Sequence, residues 1–212
     1  MLLGGGTAPP PIAPPGVSLV AAGCLFVLLS AVASAQLISG DVEAGRKKAA
    51  ACGGCHGADG NSANPAVPSL AGQAPLYTYY QLVQFKLEKR KNPAMAPFIA
   101  PLTDDDMRDV AMYYASLRPA AGPATPDPEK AAAGEQVAAR YFCTSCHRPD
   151  LSGQNQVPRL TGLSYDYLVE QLRGYKAQTR ADTDYAMTMA AQPLTETDIE
   201  ALAHFITAAA RR

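Results

Sequence analysis

Two five-residue words carry the clearest chemistry in the chain, Cys52-Gly-Gly-Cys55-His56 and Cys143-Thr-Ser-Cys146-His147. Two thiols separated by two residues, with an imidazole directly after, form the attachment signature of a c-type haem. The thiols of Cys52 and Cys55, and of Cys143 and Cys146, add to the haem vinyl groups. His56 and His147 then lie under the porphyrin, within reach of the iron. Competing chemistries fit less well. A structural zinc site needs four thiolate or imidazole ligands around one ion, and each word supplies three. A redox dithiol of thioredoxin type needs a βαβ setting, which the sequence does not show. A disulfide framework would use an even cysteine set. The chain has five cysteines, and the fifth, Cys24, lies in an apolar run. Two covalently bound haem c groups are therefore expected.

A haem iron also needs a ligand on its other face, and an internal repeat locates the candidates. Met95 lies 39 residues past His56 and seven before Leu102, while Met187 lies 40 past His147 and seven before Leu194. No other methionine pair keeps register in both directions. Met189 aligns with Pro97, Met107 with Ile199 and Met112 with His204. Methionine often fills gaps in a core. A matched pair in polar, proline-bearing loops instead suits thioether ligation of iron.

Helices must hold these groups in place. Leu76 to Lys89 shows apolar positions close to a 3.6-residue period. Thr103 with Asp106, and Thr195 with Asp198, give capping-box-like starts to two further helices. Residues 119–129, rich in proline, read as a linker between a first domain at 41–118 and a second at 130–212. No segment alternates as a strand, so the expected class is all-α, two small helical domains each closed around a haem. Each half is small for a self-sufficient core, and a buried haem would supply apolar surface. His204, outside both words, reads as a surface residue of the last helix. The formal net charge of −1 gives no argument for nucleic-acid binding.

Residues 1–35 read as a signal peptide or an N-terminal anchor. Gly16 to Ala35 is twenty residues without a charge and ends in Ala33-Ser34-Ala35, a small-residue cleavage site. The run also has nearly the length that spans a bilayer. Export to the periplasm is expected on either reading, with membrane association if the segment stays attached.

The two words, Pro68-Ser69-Leu70-Ala71-Gly72-Gln73, the tyrosine-rich helix with Gln81-Leu82, the methionine loop and the Leu-Thr-x-x-Asp helix together resemble the cytochrome c4 family. That resemblance covers nearly all of residues 41–210 and implies two tandem class I cytochrome c domains. It makes His56 and His147 the proximal ligands and Met95 and Met187 the distal ones. It places Pro68 and Pro158 where a proline carbonyl accepts the Nδ1 hydrogen of the ligand histidine. It makes Gly45 the small contact where the first helix crosses the last, near Tyr113, with Gly134 and Phe205 repeating this. Gly134 stands nine residues before Cys143, however, and Gly45 seven before Cys52. The implied function is a non-enzymatic electron carrier. Its donor would be a quinol-oxidising complex or dehydrogenase and its acceptor a terminal oxidase or reductase. The alternatives are the cytochrome subunit of a dehydrogenase and a dihaem enzyme of peroxidase or thiosulfate-oxidising type. Lys86 to Lys91 reads as a solvated helix end or as a basic patch steering an acidic partner.

Overall fold

The computed structural model describes residues 38–210 except Ala124 and Ala181; the expected signal or anchor at 1–35 lies outside them. The first half contains α1 (Val42–Ala49), a 3₁₀ turn (Ala50–Cys52), α2 (Gly53–His56), α3 (Pro75–Lys86), α4 (Ala96–Ile99) and α5 (Asp104–Ser116). The second contains α6 (Pro128–Arg140), α7 (Cys143–His147), α8 (Tyr165–Lys176), α9 (Ala186–Ala191) and α10 (Glu196–Ala209). Among the described residues there is no β-strand, only an isolated bridge between Gln154 and Val157. No described helix is long and apolar enough to cross a membrane.

Local chemistry sets the helix starts. Both expected capping boxes form, Thr103 with Asp106 and Thr195 with Asp198. Each hydroxyl accepts a backbone N–H while each carboxylate accepts one in return. The Asp41 and Asp127 carboxylates cap α1 and α6 more simply, each accepting two backbone N–H bonds with no side chain of the first turn bonding back. The α6 helix opens at Pro128, because proline is tolerated in the first helical turn, where its missing N–H costs nothing. The α3 helix stops at Lys86, short of Lys89, where Glu88 turns to a φ of 56°. Leu87, just past the stop, is exposed.

Each half is built on a crossing of its first and last long helices. A Cβ on Gly45 would fall 2.0 Å from the Asp109 carbonyl oxygen and 2.9 Å from Tyr113 Cβ. On Gly134 it would fall 2.0 Å from the Ala201 carbonyl oxygen and 2.8 Å from Phe205 Cβ. The contact implied for Gly134 is thus present despite the different spacing. The two additional residues are taken up before α7, where Phe142 has φ 54°. Lys48 ties α1 to α5 through Asp106 at 2.5 Å and Asp109 at 2.9 Å.

The halves have separate apolar clusters. Leu82, Ile99, Met107, Val110 and Tyr114 form the first. The second includes Leu168, Val169, Ile199, Leu202 and Phe205. Between them the chain after α5 runs past a matched pair of glycines. The Pro119 ring and the Ala120 carbonyl occupy the space that Cβ atoms on Gly72 and Gly162 would need, 2.8 and 2.5 Å from those positions.

Candidate functional site

The first cysteine word lies on the 3₁₀ turn and α2, so the second cysteine and the histidine emerge within one helical turn. His56 is buried, and its Nδ1 lies 2.8 Å from the Pro68 carbonyl oxygen. That carbonyl can only accept, so Nδ1 carries the hydrogen and Nε2 is left with its lone pair. Nε2 is itself buried and has no hydrogen-bond partner among the described residues. Burial lowers the pKa of His56, so the ring is held neutral, the form that binds metal. An orphaned buried lone pair of this kind requires an electrophile.

His56 lines a cavity of about 650 Å³. Cys52, Cys55, His56 and Met95 all line it, along with apolar groups that include Leu70 and Leu82. The cavity therefore gathers two thiols, an imidazole and a thioether with an oily wall, the donor set of a covalently held haem. Two guanidinium groups, Arg90 and Arg180, also line it.

The second half repeats the proximal geometry. His147 is buried on α7 with its Nδ1 3.0 Å from the Pro158 carbonyl oxygen, and burial again lowers its pKa. Cys143 and Met187 pack against the same apolar cluster. Met187 N donates to the Asp182 carboxylate at 2.6 Å and Thr188 Oγ1 donates to it at 2.7 Å, which fixes the start of α9. Met189 is 69% exposed. Cys52 and Cys143 are half-buried with thiol pKa values raised by burial, whereas Cys55 and Cys146 are exposed.

The decisive observation is that one sequence register, read twice, yields the same histidine–carbonyl pair, with the first cysteine and the methionine of each half packed against that half's apolar cluster. A cytochrome c family model matches residues 42–118 and again 131–210. Cytochrome c4 of Thiocapsa roseopersicina is 37% identical over 179 residues, covering 79% of this chain and 92% of the relative. The chain belongs to the cytochrome c4 family. It is accordingly an electron-transfer cytochrome with two covalently bound haem c groups. Its fold is similar to the crystal structure of reduced recombinant cytochrome c4 from Pseudomonas stutzeri, with a TM-score of 0.74 and 36% identity over 80% of this chain and 98% of that one. It is also 33% identical to a thiosulfate dehydrogenase electron acceptor of Thiomonas intermedia, over 76% of this chain and 79% of the relative.

In this cytochrome c4 family member the halves are joined by a polar network that sequence reasoning missed. Arg90 of the first half donates to Tyr167 Oη at 3.2 Å and Gln171 Oε1 at 3.1 Å in the second. Arg180 of the second half donates to Tyr77 Oη at 3.0 Å and Gln81 Oε1 at 3.4 Å in the first. Each arginine also bonds the glutamine of its own half, Arg90 to Gln81 and Arg180 to Gln171. The available signal was the shared spacing, since both arginines stand nine residues after their glutamines. Arg90 therefore leaves the Lys86–Lys91 stretch for the interface. Lys86 caps the Leu102 carbonyl, so this stretch is not simply a solvated helix end. His204 is partly exposed on α10, in keeping with the expected surface position, and it has partners the sequence did not announce. Its Nδ1 accepts from the Asp127 backbone at 3.0 Å, and its ring lies 4.5 Å from that of Tyr165.

Proposed function

We propose that the chain is a dihaem electron carrier in which His56 and Met95 hold the first iron and His147 and Met187 the second. Cys52, Cys55, Cys143 and Cys146 anchor the porphyrins. The observation that carries this reading is the buried, partnerless His56 Nε2 in a cavity that Met95 also lines. Haem iron supplies reversible one-electron chemistry. The imidazoles of His56 and His147 and the thioethers of Met95 and Met187 would hold the irons, a ligand pair that gives a higher potential than two imidazoles. The protein's own contribution is rigidity. Pro68 and Pro158 fix the histidine tautomers, and the crossed arginines fix one half against the other. The guanidinium groups of Arg90 and Arg180 suit the carboxylates that a haem carries at its edge.

On this reading the carrier works in the periplasm. It takes electrons from a quinol-oxidising complex or a dehydrogenase and passes them to a terminal oxidase or reductase. The likeness to a thiosulfate dehydrogenase electron acceptor favours a second reading, the cytochrome subunit of a dehydrogenase complex, which differs from a free carrier in its partner.

The test is optical. The oxidised protein should show the weak near-infrared sulfur-to-iron band, and Met95→Ala and Met187→Ala should each remove about half of it. A band untouched by either substitution, or one iron able to bind added cyanide as readily as an open site, would overturn the carrier reading. Copurification of the tagged, haem-loaded protein with a dehydrogenase would distinguish a bound subunit from a free carrier.

A further inference from the structure

The repeat breaks directly after the proline whose carbonyl holds His147. Pro68 is followed by Ser69, a neutral residue whose hydroxyl accepts Ser62 N at 3.1 Å within its own half. Pro158 is followed by Arg159. This arginine is only 4% exposed, and it is covered by the other half of the molecule. Its Nη2 donates to the Ala71 carbonyl at 2.6 Å. Its backbone N donates to Gln73 Oε1 at 2.7 Å, and its carbonyl accepts from Gln73 Nε2 at 3.0 Å. No return contact of this kind exists in the pattern, because the position matching Gln73 is Leu163. The Nε and Nη1 atoms of Arg159 are buried and have no hydrogen-bond partner among the described residues.

A buried cation needs an anion, and the one hydrogen-bond partner of this guanidinium among the described residues is the neutral Ala71 carbonyl. Burial lowers its pKa to about 10, so it remains charged at neutral pH. It follows immediately the carbonyl that holds His147. Reduction of a haem adds one negative charge to the site, and a nearby cation of low solvation favours that state.

We propose that Arg159, held by Gln73 and Ala71 of the first half, raises the reduction potential of the second haem, so that the first half sets the second haem's redox balance. This rests on the reading above in which His147 holds the second haem. Asp182, the carboxylate at Met187 N, is common to wild type and every Arg159 variant and does not enter the comparison.

The experiment is a spectroelectrochemical titration of the full haem-loaded chain. A Met95→His background moves the first haem to a much lower potential and so tells the two apart. Wild type must first show two one-electron waves with the histidine–methionine spectrum; if it does not, the carrier reading itself fails before any Arg159 variant is needed. Arg159→Met removes the charge but keeps an apolar side chain of similar length, a replacement that buried charges commonly tolerate. Arg159→Gln removes the charge and keeps polarity, and Arg159→Lys keeps the charge. The expected result for Met and Gln is a roughly tenfold fall in the ferrous-to-ferric ratio of the second haem at fixed potential, about 59 mV for one electron. The first haem should stay in place, and Lys should remain close to wild type. A second-haem midpoint unchanged in the uncharged variants overturns the proposal. So does an equal shift of both haems, or a shift in Lys as large as that in Gln.

Discussion

Gly134 and Ala201 meet so closely that a single added methyl group would sit 2.0 Å from the Ala201 carbonyl oxygen. Gly45 and Asp109 show the same 2.0 Å approach in the first half. In each pair a helix backbone lies against a helix backbone with no side chain between them. Overpacking costs roughly 1–3 kcal/mol, and here the obstacle is a carbonyl that cannot swing aside. Gly134→Ala and Gly45→Ala should therefore each destabilise the haem-loaded protein by about 3 kcal/mol in urea unfolding. Gly54→Ala in α2, where a Cβ meets no protein atom within 4 Å, should not destabilise, since alanine is favoured over glycine in a helix by up to about 1 kcal/mol.

Acid should loosen the first half through Asp106. The Lys48 ammonium, with help from Thr103, holds this carboxyl at about 2 against an ordinary 3.8. A depressed folded-state pKa means stability that is complete above 3.8 and lost as pH falls through about 2. Asp106→Asn should lower the urea midpoint at neutral pH, and the two curves should converge as pH falls across that window. Some acid sensitivity will remain in the variant, because Asp109 is also held low, first by the Asp41 N–H and then by Lys48.

The crossed arginines should behave as one unit. Arg90 and Arg180 share Gln81 and Gln171 as acceptors. Residues of one network show coupling energies of about 0.5–3 kcal/mol. Arg90→Gln, Arg180→Gln and the double variant, compared by denaturant unfolding, should miss additivity by that amount. Strict additivity would mean that the two arginines act separately.

Met189 provides the control for the distal ligand. It is two residues from Met187 but 69% exposed. Met189→Ala should leave the near-infrared band at full strength, in contrast to Met187→Ala.

The parts of this molecule that were legible in the sequence are those governed by local spacing. The cysteine words place thiols and imidazole within one helical turn, and Thr103 with Asp106 announces a cap that forms as expected. Other features depended on contacts across 77 to 103 residues. Arg90 reads as one cation in a basic run, because nothing local distinguishes a solvated guanidinium from one that reaches another domain. Arg159 reads as an unremarkable residue after a proline, since its burial is produced by the other half. His204 was placed on the correct helix, but its partner at Asp127 belongs to a chain segment whose path the proline content does not dictate.

The reciprocal arginine contacts have the form of a self-complementary interface, in which the same patch is used by both partners. Two free copies of such a patch would associate only at high concentration. Joined by a short tether, each faces the other at an effective concentration in the millimolar range. A modest set of polar contacts is then sufficient to keep the pair closed, and little apolar surface must be spent on it. The molecule is in this sense a fused dimer, and fusion frees its two copies to diverge, as they have where Ser69 bonds a neighbour in its own half and Arg159 reaches into the other.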